Sequence, residues 1–154
     1  MKNLVAFVLS ILICMSATAQ TSRYSASMVK SHGKEWSADK AWDYVSGLVA
    51  KTILMYCNQY PDDELSSQAY GWCKVYADNA IGSDGNFYNF KKGSLDNIAS
   101  GKVLFDLYTR ESAVDPSAAE RYRVAADYLY NYLRYEYKRI KLDEGKDGFI
   151  HKDS

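Results

Sequence analysis

The residue in this chain best placed to do chemistry is an aspartate at a helix start. Ser94-Leu95-Asp96-Asn97-Ile98, followed by Gly101-Lys102, reads as a capped first turn. Ser94 is a good N-cap, and Asp96 falls where unpaired backbone N–H groups and the helix dipole favour a carboxylate. That field favours the ionised form, so Asp96 suits accepting hydrogen bonds or stabilising positive charge better than donating a proton. An ordinary first-turn acid would occupy the same position. Trp42 and Tyr44 stand at the start of an earlier helix, outside its best apolar register. They read either as a sugar-stacking surface or as a cover over the end of a core. His151 lies in a polar loop after Gly148-Phe149-Ile150, whereas His32 sits in a polar lead-in. The acidic clusters Asp62-Asp63-Glu64 and Asp143-Glu144 with Asp147 miss the calcium-loop pattern. Cys57 and Cys73 lack zinc spacing, and no serine triad, phosphate loop or dinucleotide fingerprint is present. Neither a metal nor a cofactor is expected.

The elements that must position these groups read as helices. Val45, Leu48, Val49, Thr52, Ile53 and Tyr56 recur at three- and four-residue steps, which predicts a helix beginning after Ser37 or Asp39 and running to about Gln59. Pro61-Asp62-Asp63 ends it. A second helix is predicted from Leu65 to Ile81, with Tyr70, Cys73, Tyr76, Ala77 and Ala80 on one side. Cys57 and Cys73 then lie at unequal distances from the turn, which disfavours a disulfide and predicts free thiols. Gly82-Ser83-Asp84-Gly85-Asn86 is a dense turn signal, and Phe87 to Gly93 is a short aromatic and basic loop. A third helix follows from Leu95 to Arg110, with Ile98, Val103, Leu104, Leu107 and Tyr108 as its apolar set. Gly101 inside it costs about 1 kcal/mol relative to alanine and marks close backbone packing. The fourth, Ser117 to Arg139, carries a stripe of Tyr122, Ala125, Ala126, Leu129, Tyr132 and Leu133. Lys141 to Ser154 is a polar tail, and no strand pattern of useful length occurs. The class is all-α, built from about two antiparallel helix hairpins.

The ends and the composition narrow the function. Lys2, the apolar run Leu4 to Met15 and Ala17-Thr18-Ala19 form a signal peptide over residues 1–19, cleaved before Gln20. The run is too short to span a bilayer, so a secreted or periplasmic protein with no membrane anchor is expected. Residues 20–35 read as a flexible lead-in and residues 36–154 as one domain. Nineteen Lys and Arg balance nineteen Asp and Glu. Without a basic stripe, nucleic acid is not an expected partner. Fourteen tyrosines and three tryptophans supply flat apolar faces with polar tips, suited to a helical core and to sugars alike.

Trp42-Asp43-Tyr44-Val45 with Gly47-Leu48-Val49, Tyr76-Ala77-Asp78-Asn79 with Asp84-Gly85, Leu95-Asp96-Asn97-Ile98 with Gly101-Lys102 and Leu104-Phe105-Asp106-Leu107-Tyr108, and Gly148-Phe149 with His151-Lys152 together resemble one family. It is the unsaturated uronyl hydrolases of glycoside hydrolase families 88 and 105, which include unsaturated rhamnogalacturonyl hydrolases. Ala99-Ser100 departs from the Asn-Pro often found there. The resemblance implies an (α/α)6 toroid, of which this chain is the N-terminal part. It implies a substrate as well: oligosaccharides left by polysaccharide lyases, from pectin, rhamnogalacturonan or glycosaminoglycans, with an unsaturated uronic acid at the chain end. Family members hydrate its C4–C5 double bond, and the hemiketal opens to release the sugar. The resemblance assigns Asp96 to catalysis and His151 to a position near the substrate, and Trp42 and Tyr44 are candidate substrate contacts. The acid–base aspartate lies in a Trp-x-Asp-Gly segment after the histidine, and this sequence stops three residues after His151. The chain by itself is therefore expected to be inactive. A non-catalytic helical carbohydrate-binding or interaction module is the competing expectation.

Overall fold

The computed structural model describes residues 23–31, 33, 40–141 and 147–149. The signal segment, the cap candidates Ser37 and Asp39, and both histidines lie outside them. Helix α1 covers residues 23–31. There follow α2 (Tyr44–Gln59), α3 (Glu64–Ala80), α4 (Leu95–Ala99), α5 (Lys102–Glu111) and α6 (Pro116–Asn131), which runs into a π-helical turn, Tyr132–Glu136. Two three-residue strands, β1 (Arg139–Lys141) and β2 (Asp147–Phe149), pair antiparallel. The chain is all-α.

Local chemistry sets the helix starts. Asp43 caps α2 by accepting the Ser46 N–H, and Asp63 caps α3 by accepting that of Leu65. Asp115 caps α6 by accepting from Ser117 and Ala118, with Pro116 in the first turn, where a missing N–H costs nothing. Each such cap stabilises its helix by about 1 kcal/mol.

Two sets of contacts fix how the helices run. The Cys57 thiol donates to the Ser66 carbonyl at 3.3 Å and the Cys73 thiol to that of Ala50 at 3.6 Å. Numbers rise on α2 as they fall on α3, so the two form an antiparallel hairpin. In contrast, Ser100 Oγ donates to the Asp43 carbonyl at 2.5 Å, and Lys51 Nζ lies 2.5 Å from Asp106 Oδ2. Here partner numbers rise together, so α2 and α5 run parallel with their N-terminal ends side by side. The α5–α6 pair closes through the short Ser112–Asp115 link.

The core lies between these hairpins, with Tyr76 and Tyr122 its largest fully buried side chains. Buried phenols find partners: Tyr122 donates to Asp78 at 3.0 Å and Tyr70 to Glu111 at 2.6 Å. Glu111, only 3% exposed, also accepts from Lys74 at 2.8 Å. This triad ties α3 to the end of α5.

Four expectations are corrected. Residues 23–31 form a helix where a flexible lead-in was expected, and Val29 is buried in the core. On α2 the buried face is Ser46, Gly47, Ala50, Ile53, Leu54, Tyr56 and Cys57, whereas Val45 and Leu48 are exposed. Small residues let a neighbouring backbone come close: a Cβ on Gly47 would lie 2.8 Å from the Ser100 Cα. The third helix is interrupted at Ser100-Gly101, where Gly101 N bonds to the Ile98 carbonyl and Val103 N to that of Ser100. These are i→i−3 bonds, a tight turn that hydrophobic periodicity does not register. Gly101 packs closely, as expected, since a Cβ there would lie 2.7 Å from Leu129 Cδ1. The fourth helix ends its regular winding at Asn131, and the π-helical turn brings Tyr137 back to pack on Tyr132.

Candidate active-site cleft

Because α2 and α4–α5 start side by side and α3 ends beside the start of α2, three helix termini meet at one end of the molecule. A cleft of about 320 Å³ opens there. It is lined by Trp42 and Asp43 before α2, Asn79 and Ala80 at the end of α3, Asn97 of α4, and Phe87, Tyr88, Asn89 and Lys91 of the connecting segment. Lys40 completes the rim.

Trp42 is held from two directions. Its indole N–H donates to the Asn97 carbonyl at 2.8 Å. Its ring stacks on Tyr76 at 5.3 Å and meets Phe87 edge-on at 5.1 Å. Burial pushes the Tyr76 phenol above its ordinary value, so this ring stays neutral throughout the ordinary range. Phe87 continues into an aromatic cluster with Phe90 and Tyr128, which seats the 87–93 segment on α6.

Asp96 stands in the first turn of α4, its own N–H bonded to Ser94 Oγ at 3.2 Å, as the capped start requires. It is half-buried and one residue from the cleft-lining Asn97. Trp42 and Asp96, distant in sequence, thus come to the same end of the fold. Tyr44 is 48% exposed and lies outside the cleft lining. His151 lies outside the described residues. Lys40 and Lys91 line the cleft without having been expected there, and the aromatic and basic makeup of residues 87–93 is the sequence signal that points to the second. Among the described residues no cluster of three or more His, Cys, Asp or Glu gathers to hold a metal. The lining is chemically legible all the same: flat rings, three carboxamides, and two ammonium groups against the one carboxylate of Asp43, which caps α2, suit a polar, flat-faced, negatively charged ligand.

The profile of Glycosyl Hydrolase Family 88 matches residues 17–153. The chain belongs to this family. Glycosyl Hydrolase Family 88 is a family of (α/α)6 toroids, and the antiparallel hairpins with parallel α2 and α5 agree with that architecture. Membership makes the chain a glycoside hydrolase with a carbohydrate substrate. No curated protein and no solved structure matches the chain.

Proposed function

We propose that the protein carrying this Family 88 chain acts on oligosaccharides bearing an unsaturated uronic acid at the chain end, by hydration of the C4–C5 double bond. The observation that carries the reading is the cleft, whose lining brings Lys40 and Lys91 together with Trp42 and with Asn97, the residue next to Asp96. An acidic sugar needs that combination: a ring to stack on, amides for its hydroxyls and cations for its carboxylate. The acid–base aspartate that the resemblance places in a Trp-x-Asp-Gly segment protonates C4, which leaves positive charge at C5 and the ring oxygen; water adds at C5 and returns a proton to that carboxylate, and the hemiketal opens to free the sugar. Asp96 is assigned to the positive charge of that transition state, Trp42 to the sugar face, and His151 to substrate contact. Export through a residue 1–19 signal is part of the same proposal, supported by Lys2, the apolar run Leu4 to Met15 and the small residues Ala17 and Ala19.

Calorimetric titration of the chain with an unsaturated uronide disaccharide, against a neutral saturated one, tests the reading. Saturable binding of the acidic sugar alone, weakened by salt and lost in Trp42→Ala, is expected. Equal binding of both sugars, or of neither, overturns it.

A further inference from the structure

We infer that the Asn97 side chain is a positioning residue that fixes the 87–91 wall of the cleft against the helix bearing Asp96. This inference rests on the sugar-binding reading for its purpose and on geometry for its substance. Four of the cleft-lining residues, Phe87, Tyr88, Asn89 and Lys91, come from a single stretch between α3 and α4. That stretch has little secondary structure of its own beyond the Ile81–Phe87 bridge. It is anchored at its start by the Tyr88 N–H on the Ala80 carbonyl at 3.0 Å. Its far end is held by the Gly93 N–H on Tyr132 Oη at 2.7 Å and by Lys92 on Glu136 at 2.5 Å. Both of those anchors belong to the α6 side. The wall is tied to the Asp96 helix by Asn97 Nδ2, which donates to the Lys91 carbonyl at 2.8 Å.

Asn97 therefore works in two directions. Its main-chain carbonyl receives the Trp42 indole, and its side-chain amide grips the backbone of Lys91. One residue sets the spacing between the stacking ring, the ammonium rim and the neighbouring Asp96. The carbonyl contact survives any substitution, whereas the amide contact needs a donor, so side-chain replacement isolates the second.

Hydrogen–deuterium exchange tests the inference without reference to any ligand. In Asn97→Ala and Asn97→Asp, amides of residues 82–93 should exchange about fivefold faster, the factor for one lost neutral hydrogen bond. The aspartate keeps the shape but cannot donate. Asn97→Gln, which restores a donor, should recover part of the protection. Affinity for the unsaturated disaccharide should fall by a similar factor of about five in the Ala and Asp variants. Unchanged exchange in residues 82–93, or faster exchange spread equally over α2 to α6, overturns the inference. If the unsubstituted chain binds no disaccharide while the exchange pattern holds, the wall-fixing role stands and the uronide reading falls.

Discussion

Asp96 and Trp42 owe their meeting to different kinds of information. The capped start around Asp96 is local, written in Ser94 and the first-turn acid, and Ser94 Oγ does accept the Asp96 N–H. The placement of Trp42 is not local, because its partners Tyr76, Phe87 and Asn97 come from three other segments. Lys40 and Lys91 were illegible as site residues for the same reason: a lysine in a loop has no periodicity to place it. For Asp96→Asn, turnover of an unsaturated disaccharide by the protein carrying this sequence should drop on the order of 10², the scale for a lost charge-stabilising group. Loss of the double-bond absorbance gives the rate, and circular dichroism should be unchanged. A parent-like rate would make Asp96 a plain helix-start acid. Cys57 and Cys73 make a second case at this scale. Cys73 faces the Ala50 carbonyl, about two turns along α2 from Cys57, and burial raises both thiol pKa values. A thiol reagent should therefore label neither in the folded chain and both in denaturant.

Between elements, Gly47 and Ser100 bring two backbones close together. A Cβ on Gly47 would come 2.3 Å from Ser100 Oγ and 2.8 Å from its Cα, and a backbone atom cannot swing aside. Alanine would gain about 1 kcal/mol of helix propensity yet force α2 away from the turn before α5. Overpacking of this kind costs about 1–3 kcal/mol, so Gly47→Ala should come out destabilised in thermal denaturation. It should also weaken sugar binding, since the same shift breaks the Ser100–Asp43 contact that aligns the two helix starts. Helix existence was readable from α2 onward, because each apolar set recurs at three or four residues, whereas α1 lies where a flexible lead-in was expected. Helix phase and helix ends were less so. On α2 the buried stripe follows Ser46, Gly47 and Ala50, residues whose small size hydrophobicity ranks below Val45 and Leu48. Strands β1 and β2 are three residues each, too short for alternation to stand out.

At the scale of the whole molecule, the core is a tyrosine core, and that choice has a pH signature. Burial first, then the Asp63 hydrogen bond, pushes the Tyr56 phenol up to about 12. Tyr70, Tyr76 and Tyr122 are raised as well, in each case chiefly by burial. Each folded phenol holds its proton above the ordinary tyrosine value of about 10, where the unfolded chain has shed it. Stability from these groups is thus complete below that value and is lost as pH rises through the folded ones. Chemical denaturation should give a constant tyrosine contribution up to about pH 9 and a falling midpoint beyond about pH 10. Tyrosinate absorbance should meanwhile show these four buried phenols titrating only on unfolding. A midpoint independent of alkaline pH would mean that these rings are not held as described. The all-α class and the hairpin pattern were legible at this scale; the parallel alignment of α2 and α5, which creates the cleft, was not, because it depends on long-range contacts such as Lys51 with Asp106.

The π-helical turn at Tyr132–Glu136 makes chain length itself a constraint. Such a turn holds one residue more than an α-helical turn would, so everything after it is rotated by about 100° relative to a regular continuation. That rotation is what returns Tyr137 to the tyrosine cluster with Tyr132. Replacing the exposed Tyr135 by another residue should be nearly silent. Deleting it should not be: the helix would become more regular, Tyr137 would swing toward solvent, and β1 would be aimed away from β2. Insertions and deletions here act as frame errors in three dimensions, in a segment where spelling changes pass unnoticed.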